Sequence, residues 1–319
     1  MEIMKLEFEK PIDDLELKLK EWEKLSKDSN IDMSDEIASL TKKIEKTKLD
    51  VYKNLSAWQR VQLARHPARP YTLDYINNIF TDFLEFHGDR RFADDEAIVG
   101  GFAKLEGKPV MIIGTQKGRE TKENIRRNFG SPHPEGYRKA IRLMKLADEA
   151  GVPIICFIDT AGAFPGLASE ERHIGEAIAV NLREMFDLRV PVLAIVIGEG
   201  GSGGALGIGI GNKICVMENA YYSVISPEGC ASILWKDRGF AETAANALKL
   251  TPTDLKKLGI VDYIIDEPLG GAHNDHDLAS SILQNFIIER LGELEKLSES
   301  ELKEQRYNKF RDIGEFLEK

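Results

Sequence analysis

The chain has 319 residues, 42% of them hydrophobic and 30% charged, with 53 acidic against 43 basic side chains and a formal charge of −10. That balance argues against a general binder of nucleic acid or anionic membrane, leaving room for a local basic patch, and the length allows one large domain or two smaller ones. Three cysteines (Cys156, Cys215 and Cys230) without a C-x-x-C pair argue against a disulfide framework and an all-cysteine zinc site, and fit a reducing cytoplasm.

The opening MEIMKLEFEK lacks the apolar region of a secretory signal, so none is expected. Over residues 12–64, Ile12, Leu15, Leu19, Trp22 and Leu25, then Ile37, Leu40, Ile44, Val51 and Leu55, recur at helical steps around a polar break at 27–30. This predicts two amphipathic helices, either packed on the chain's own domain or used for oligomerisation. Pro67 and Pro70 end the pattern. Residues 97–105 and 109–114, joined by Glu106-Gly107-Lys108, predict a β-hairpin. Residues 136–150 predict a helix closed by Gly151. Stretches 153–159 and 190–198 are continuous apolar strands, and the second is far short of the roughly 20 residues of a membrane helix. Residues 170–188 predict a helix between them, and 213–218 and 260–265 two further strands. Unalternating strands separated by helices imply an α/β sheet covered on both faces. Thr251-Pro252 reads as a helix start, and the helical tail from Asp275 has a second start at Ser298-x-x-Glu301.

Two strands end in glycine-rich turns that enter helices. One runs Asp159-Thr160-Ala161-Gly162-Ala163-Phe164-Pro165-Gly166. The other places Gly198, Gly200, Gly201, Gly203 and Gly204 within seven residues, around Glu199 and Ser202. Such turns permit positive φ and close approach of a ligand to the main chain. Their N–H groups at a helix start are unpaired and suit an oxyanion. The crowding of glycines favours this role over mere close packing. Gly198-x-Gly200-x-x-Gly203, with Glu218 further on, also matches a dinucleotide fingerprint, but residues 204–212 are too short for a turn plus crossover helix and carry three more glycines. Gly200-x-Ser202-x-Gly204 matches a serine-hydrolase elbow, with His273 or His276 as base. Lys117, Arg119, Lys122, Arg126 and Arg127 form a basic run broken by Glu120 and Glu123; its functional reading is an anchor for phosphates or for an acidic partner surface. No P-loop signature is present.

Longer blocks make the chain recognisable: RPYTLDY at 69–75, HGD at 87–89, QKGRETK at 116–122, RNFG at 127–130, HPEGYRKA at 133–140, the glycine run at 198–206, YSVISPEGCASILW at 222–235 and EPLGGAH at 267–273. Their order resembles that in the carboxyltransferase α subunits of bacterial-type, multi-subunit acetyl-CoA carboxylase. The resemblance implies an α/β crotonase-like ββα superhelix, with an N-terminal helical arm over 1–65, the carboxyltransferase domain over 66–296 and a helical tail over 297–319. It implies transfer of a carboxyl group from carboxybiotin, borne on a separate carrier protein, to acetyl-CoA, giving malonyl-CoA. Carboxybiotin releases CO2, the biotin ureido group takes the α-proton, and the thioester enolate attacks CO2. Backbone oxyanion holes then carry the chemistry, here the amides of Gly203 and Gly204 facing biotin, with Gly200, Gly201, Ser202 and Gly162 beside them. The basic run would serve substrate binding.

The resemblance also implies a zinc-ribbon β subunit in an α2β2 heterotetramer, working in the cytoplasm with the biotin carboxyl carrier protein and biotin carboxylase. No metal, membrane or nucleic acid is expected of this chain. Where the family usually reads Asp-Thr-Pro-Gly-Ala-Tyr-Pro-Gly, this chain has Ala161 and Phe164. Where it usually reads Glu-Glu-Arg-Gly-Gln-Ser-Glu-Ala, it has His173, Ile174 and Gly175. The rival readings are a crotonase-type hydratase or isomerase using Glu170 and Glu171, a serine hydrolase using Ser202, and a non-enzymatic scaffold built on the N-terminal helices.

Overall fold

Apolar side chains on successive residues leave a strand no solvated face, and the chain meets this demand with a sheet sandwiched between helices. The computed structural model describes residues 5–29 and 32–314. The N-terminal elements are α1 (Lys10–Ser29), α2 (Ser34–Lys53) and α3 (Ala57–Ala64). Next come α4 (Thr72–Ile79), β1 (Thr81–Glu85), β2 (Ile98–Leu105), β3 (Lys108–Thr115), α5 (Thr121–Arg126), α6 (Pro134–Glu149), β4 (Ile154–Thr160), α7 (Leu167–Glu171) and α8 (Ile174–Asp187). The second half contains β5 (Val192–Gly201), α9 (Ser202–Leu206), β6 (Lys213–Met217), β7 (Tyr221–Ser223), α10 (Pro227–Leu234), α11 (Ala241–Leu248), α12 (Pro252–Lys257), β8 (Tyr263–Ile265), α13 (His276–Leu294) and α14 (Glu299–Arg311).

The eight-stranded sheet has the order β1-β2-β3-β4-β5-β6-β8, with β7 paired to the far end of β5. Strands β1 to β3 are antiparallel, and β3, β4, β5, β6 and β8 run parallel. Every residue of β4 and β5 is buried. Gly100 meets Leu143 of α6, while Gly114 meets Thr72 of α4. Gly100 pairs with Ile113, so Gly114 lies on the other face, and α6 and α4 cover opposite sides of the sheet.

The hairpin forms as predicted, with Glu106 and Gly107 both at positive φ, the geometry that matches strand twist. Gly151 adopts the left-handed conformation after α6. Thr251 caps α12, and Ser298 with Glu301 forms the capping box of α14.

Other expectations need correction. The N-terminal region holds three helices rather than two: the chain turns at Asn54, and Ser56 starts α3 with its own capping box. Val61 and Leu63 of α3 are fully buried in the main body, whereas Leu17, Leu25 and Leu49 of the α1–α2 pair stay exposed. The helix expected over 170–188 is broken at His173, whose φ of 64° separates α7 from α8. The apolar strand extends beyond Gly198 to Gly201. Elements α4, α5, α10, α11, β1 and β7 are too short, or too mixed in periodicity, to read from pattern. Among the described residues, no helix is long and apolar enough to cross a membrane.

The tail is stapled to the body. Arg306 of α14 is fully buried and donates to the carbonyls of Met185 (2.9 Å), Leu188 (2.8 Å) and Val190 (3.1 Å) and to Asn212 Oδ1 (2.7 Å). These carbonyls end α8 and lead into β5, where no helix or sheet partner takes them. Replacing Arg306 by Met leaves them unsatisfied. We expect Arg306→Met to lower stability by about 3 kcal/mol in urea unfolding. A loss below about 1 kcal/mol would mean that the tail is not integral to the domain.

Candidate active site

The C-terminal ends of β3, β4 and β5 lie side by side, the usual location of a ligand site in a parallel α/β sheet. Each carries a charged group where the apolar run stops. Lys117, just past β3, places Nζ 2.7 Å from Asp159 Oδ1 at the end of β4 and 2.8 Å from Glu199 Oε2 in β5. Glu199 Oε1 also accepts from Arg65 Nε (2.7 Å) and from the Tyr221 hydroxyl (2.7 Å). Arg65 continues to Glu228 Oε1 at 2.5 Å. Asp159 Oδ1 takes the amide of Glu199 at 2.9 Å, and Thr115 Oγ1 takes the amide of Asp159 at 2.6 Å. Burial alone would raise the Glu199 carboxyl, but Lys117, Arg65 and Tyr221 outweigh it and hold the group at about 2. The same carboxylates raise Lys117 against its own burial.

The glycine run sits on this cluster. None of Gly198, Gly200, Gly201, Gly203 and Gly204 has positive φ; that conformation falls on Ser202 (54°) and on Gly162 (154°) in the facing turn. The run is therefore glycine for space. A Cβ on Gly198 would lie 2.5 Å from Asp159 Oδ1, one on Gly201 2.2 Å from the Ala161 carbonyl oxygen, and one on Gly204 2.4 Å from the Ala163 amide nitrogen. The two glycine-rich turns are thus pressed backbone to backbone. Gly203 differs, because its Cβ would meet only Ile178, at an ordinary 3.6 Å. The amides of Gly203 and Gly204 are in the first turn of α9 and have no intrahelical acceptor. The Tyr137 hydroxyl donates to the Gly204 carbonyl at 3.1 Å and fixes the turn from below.

A cavity of about 530 Å³ opens beside Ser202 and Gly203. Its walls are mostly apolar: Leu206, Val224, Leu248, Leu258 and, from the tail, Phe310 and Ile313. Tyr222 and Lys249 add polar groups, and Lys249 holds the left-handed position that ends α11. Size and composition suit a small organic ligand with one polar end.

A sequence profile described as acetyl co-enzyme A carboxylase carboxyltransferase-like matches residues 5–314. The chain belongs to this family. Within the acetyl co-enzyme A carboxylase carboxyltransferase-like family it is 58% identical, over 97% of its length and 95% of the relative's, to the acetyl-coenzyme A carboxylase carboxyl transferase subunit alpha of Bacillus subtilis (strain 168). Its fold resembles transcarboxylase 12S (TM-score 0.53, 21% identity, 69% of this chain and 42% of that one). It also resembles a Pseudomonas malonate decarboxylase hetero-tetramer solved with coenzyme A (TM-score 0.56, 15% identity, 69% and 89%). The chain spans less than half of the transcarboxylase chain. These neighbours are crotonase-like, and that expectation of fold holds.

The turns bring Gly162, Gly200, Gly201, Ser202, Gly203 and Gly204 together. The basic run does not form one open patch. Lys117 is enclosed by its two carboxylates. Arg127 is buried against Glu123 and the Glu96 carbonyl. Arg119 pairs with Asp74 and stacks on Tyr71, and Arg126 pairs with Glu96 at the surface, leaving Lys122 exposed on α5. The spacing that suggested an anchor reflects a turn and a short helix that direct these side chains apart. Ser202 has no histidine: His276 Nε2 bonds the Ala68 carbonyl at 2.7 Å, and His273 stacks on His66 and faces Glu9. Glu170 and Glu171 are exposed on α7 and supply no buried base. Among the departures, Phe164 stacks on His133 with ring centroids 4.2 Å apart, His173 breaks the helix, and Gly175 faces open space. Sequence reasoning missed Asp159, Glu199, Arg65, Tyr221, Glu228 and Tyr137. The signal available was an acid at the end of each of two otherwise apolar strands.

Two predictions follow from this packing. Gly203→Ala should fold with a thermal midpoint close to wild type, whereas Gly204→Ala should lose about 2 kcal/mol because two backbones must separate; equal behaviour of the pair would contradict the crowding. A carboxyl whose folded value lies below its unfolded one contributes stability that is full above the unfolded value, 4.5 for Glu199, and fades as pH falls toward about 2. Wild type should therefore exceed Glu199→Gln by about 3 kcal/mol at neutral pH in urea unfolding, with the gap closing across that acid window. A gap that stays constant there would refute the ion-pair origin.

Proposed function

We propose that the chain is the α subunit of an acetyl-CoA carboxylase carboxyltransferase and moves a carboxyl group from carboxybiotin to acetyl-CoA, forming malonyl-CoA. The observation that carries the reading is the family match across nearly the whole chain, joined to a glycine turn that opens a helix beside an apolar cavity lined by Ser202 and Gly203. In this reading carboxybiotin arrives as a substrate on the biotin carboxyl carrier protein and supplies the activated carboxyl group. The amides of Gly203 and Gly204 donate to the oxygen that gains negative charge, and the cavity walls exclude water, which strengthens both hydrogen bonds. The Lys117–Asp159–Glu199 cluster holds the strand ends. Gly162, Gly200, Gly201 and Ser202 shape the opening. Arg119, Lys122 and Arg126 remain candidates for contact with ligand phosphates or an acidic partner surface.

The engagement of His273 and His276 elsewhere and the exposure of Glu170 and Glu171 favour backbone-amide catalysis over hydrolase and hydratase chemistry. The second oxyanion hole and much of the thioester site would come from a zinc-ribbon β subunit in an α2β2 heterotetramer, acting with biotin carboxylase in the cytoplasm. The α1–α2 pair, with leucines on its surface, supports a role in that assembly.

The test is the reverse reaction, malonyl-CoA to acetyl-CoA with biocytin as carboxyl acceptor. The chain is assayed alone and with the β subunit of its source organism. Turnover is expected only in the mixture. Activity from the chain alone would overturn the shared centre, and no activity from an assembled complex would overturn the transferase reading.

A further inference from the structure

A second cavity, of about 500 Å³, lies between α6, α8 and the loop after the HGD block, and shares no lining residue with the one beside Gly203. Its chemistry is different. Arg90 Nη1 donates to the His87 carbonyl at 2.8 Å, and Arg142 Nη2 donates to the same oxygen at 3.2 Å, with its Nε on the Gly88 carbonyl at 3.1 Å. Two guanidiniums are thus gathered on one stretch of backbone. Among the described residues, neither has a carboxylate at ion-pair distance, in a protein with ten more acids than bases. Arg91 lines the same cavity. Of the other charges in the lining, Lys145 is held by Glu184 at 2.5 Å, Arg138 faces Glu176 at 3.9 Å and Asp89 at 4.0 Å, Asp89 Oδ2 is buried without a hydrogen-bond partner, and Glu149 is exposed at the rim. Burial and the neighbouring Arg90 pull Arg142 below its ordinary value, against the opposing pull of Asp94 and Asp89.

Deeper in, Asn181 also lines the cavity and is fully buried. Its Nδ2 donates to the carbonyls of Tyr137 and Gly207, both at 2.9 Å, but its Oδ1 has no hydrogen-bond partner. Arg138 Nε is buried without a partner as well. An orphaned acceptor and two guanidiniums without a carboxylate partner, all lining one cavity, ask for a ligand that carries a donor group and an anion. A phosphate matches the guanidinium fork and offers several acceptors at once. The volume exceeds what phosphate alone would fill and falls in the range of small-molecule sites.

We infer that this cavity binds a phosphorylated small molecule of nucleotide size, with its phosphate between Arg90 and Arg142 and a donor group on Asn181. Its lining residues are separate from those proposed for carboxyl transfer. Its floor nevertheless touches the glycine helix, because Asn181 and Tyr137 hold the carbonyls of Gly207 and Gly204.

The test is calorimetric titration of the full chain with adenosine 3′,5′-bisphosphate, with inorganic pyrophosphate, and with adenosine as the phosphate-free control. Saturable binding of the two phosphate compounds, and none of adenosine, is expected. Arg90→Gln and Arg142→Gln should each weaken binding by about ten-fold or more, and Arg142→Lys by less. Arg90 is on an exposed loop, so its variant reports even if changes at Arg142 disturb folding. Competition assigns the source: displacement by acetyl-CoA supports occupancy by the phosphates of a coenzyme A substrate, and binding that acetyl-CoA leaves intact supports a separate phosphorylated effector. No saturable binding to wild type at millimolar concentration, or unchanged affinity in both glutamine variants, would overturn the site.

Discussion

Glu199 is the point on which the site depends. One carboxylate receives Lys117, just past β3, Arg65, just past α3, and Tyr221 of β7, while its own amide reaches Asp159 on β4. Charges taken out of water are costly unless they are paired. This cluster pairs them, and that requirement sets the relative height of four elements to within a hydrogen bond's tolerance. The carboxylate of Asp159 in turn occupies the space where a side chain on Gly198 would be. Electrostatics below and glycines above are therefore one arrangement: ion pairs draw the strand ends together, and only glycine lets the turns follow.

A second buried pair does similar work at the back of the sheet. Arg69 and Glu267, both enclosed, meet in a two-pronged contact, with Arg69 Nη1 2.9 Å from Glu267 Oε2. Arg69 also donates to the Ile197 carbonyl, and Glu267 takes the amides of Asn219 and Ala272. These two residues open two of the sequence blocks by which the family was recognised. Those blocks are far apart in the chain yet form one structural joint, which explains why long motifs free of evident chemistry accompany the glycine turn.

Patterns set by neighbouring residues were readable in the sequence. The hairpin at Glu106-Gly107, the caps at Thr251 and Ser298, the glycine after α6 and the buried strands all follow from local rules, and all appear. What could not be read depends on distant partners. The basic run looks uniform from Lys117 to Arg127, yet Lys117 is enclosed because Asp159 and Glu199 come from strands far along the chain. The break at His173 was hidden because the helical pattern continues on both sides and a histidine does not announce a left-handed turn. Glycines 198–204 were singled out for conformational freedom as much as for space, and the structure puts the positive φ on Ser202 and uses the glycines for space. The cavity beside them could not be read, since its walls come from six separate elements.

The tail helix has a consequence for how the site comes into being. Arg306 ties α14 to the entrance of β5, and two turns of the same segment carry Phe310 and Ile313 to the cavity wall. Chains emerge from the ribosome N-terminus first. The glycine turn, the ion-pair cluster and the sheet can all be in place while this last wall is still missing. The pocket is thus completed by a stretch made after the sheet, so a nascent chain that has not yet released this stretch presents a scaffold with an open side rather than a finished cavity.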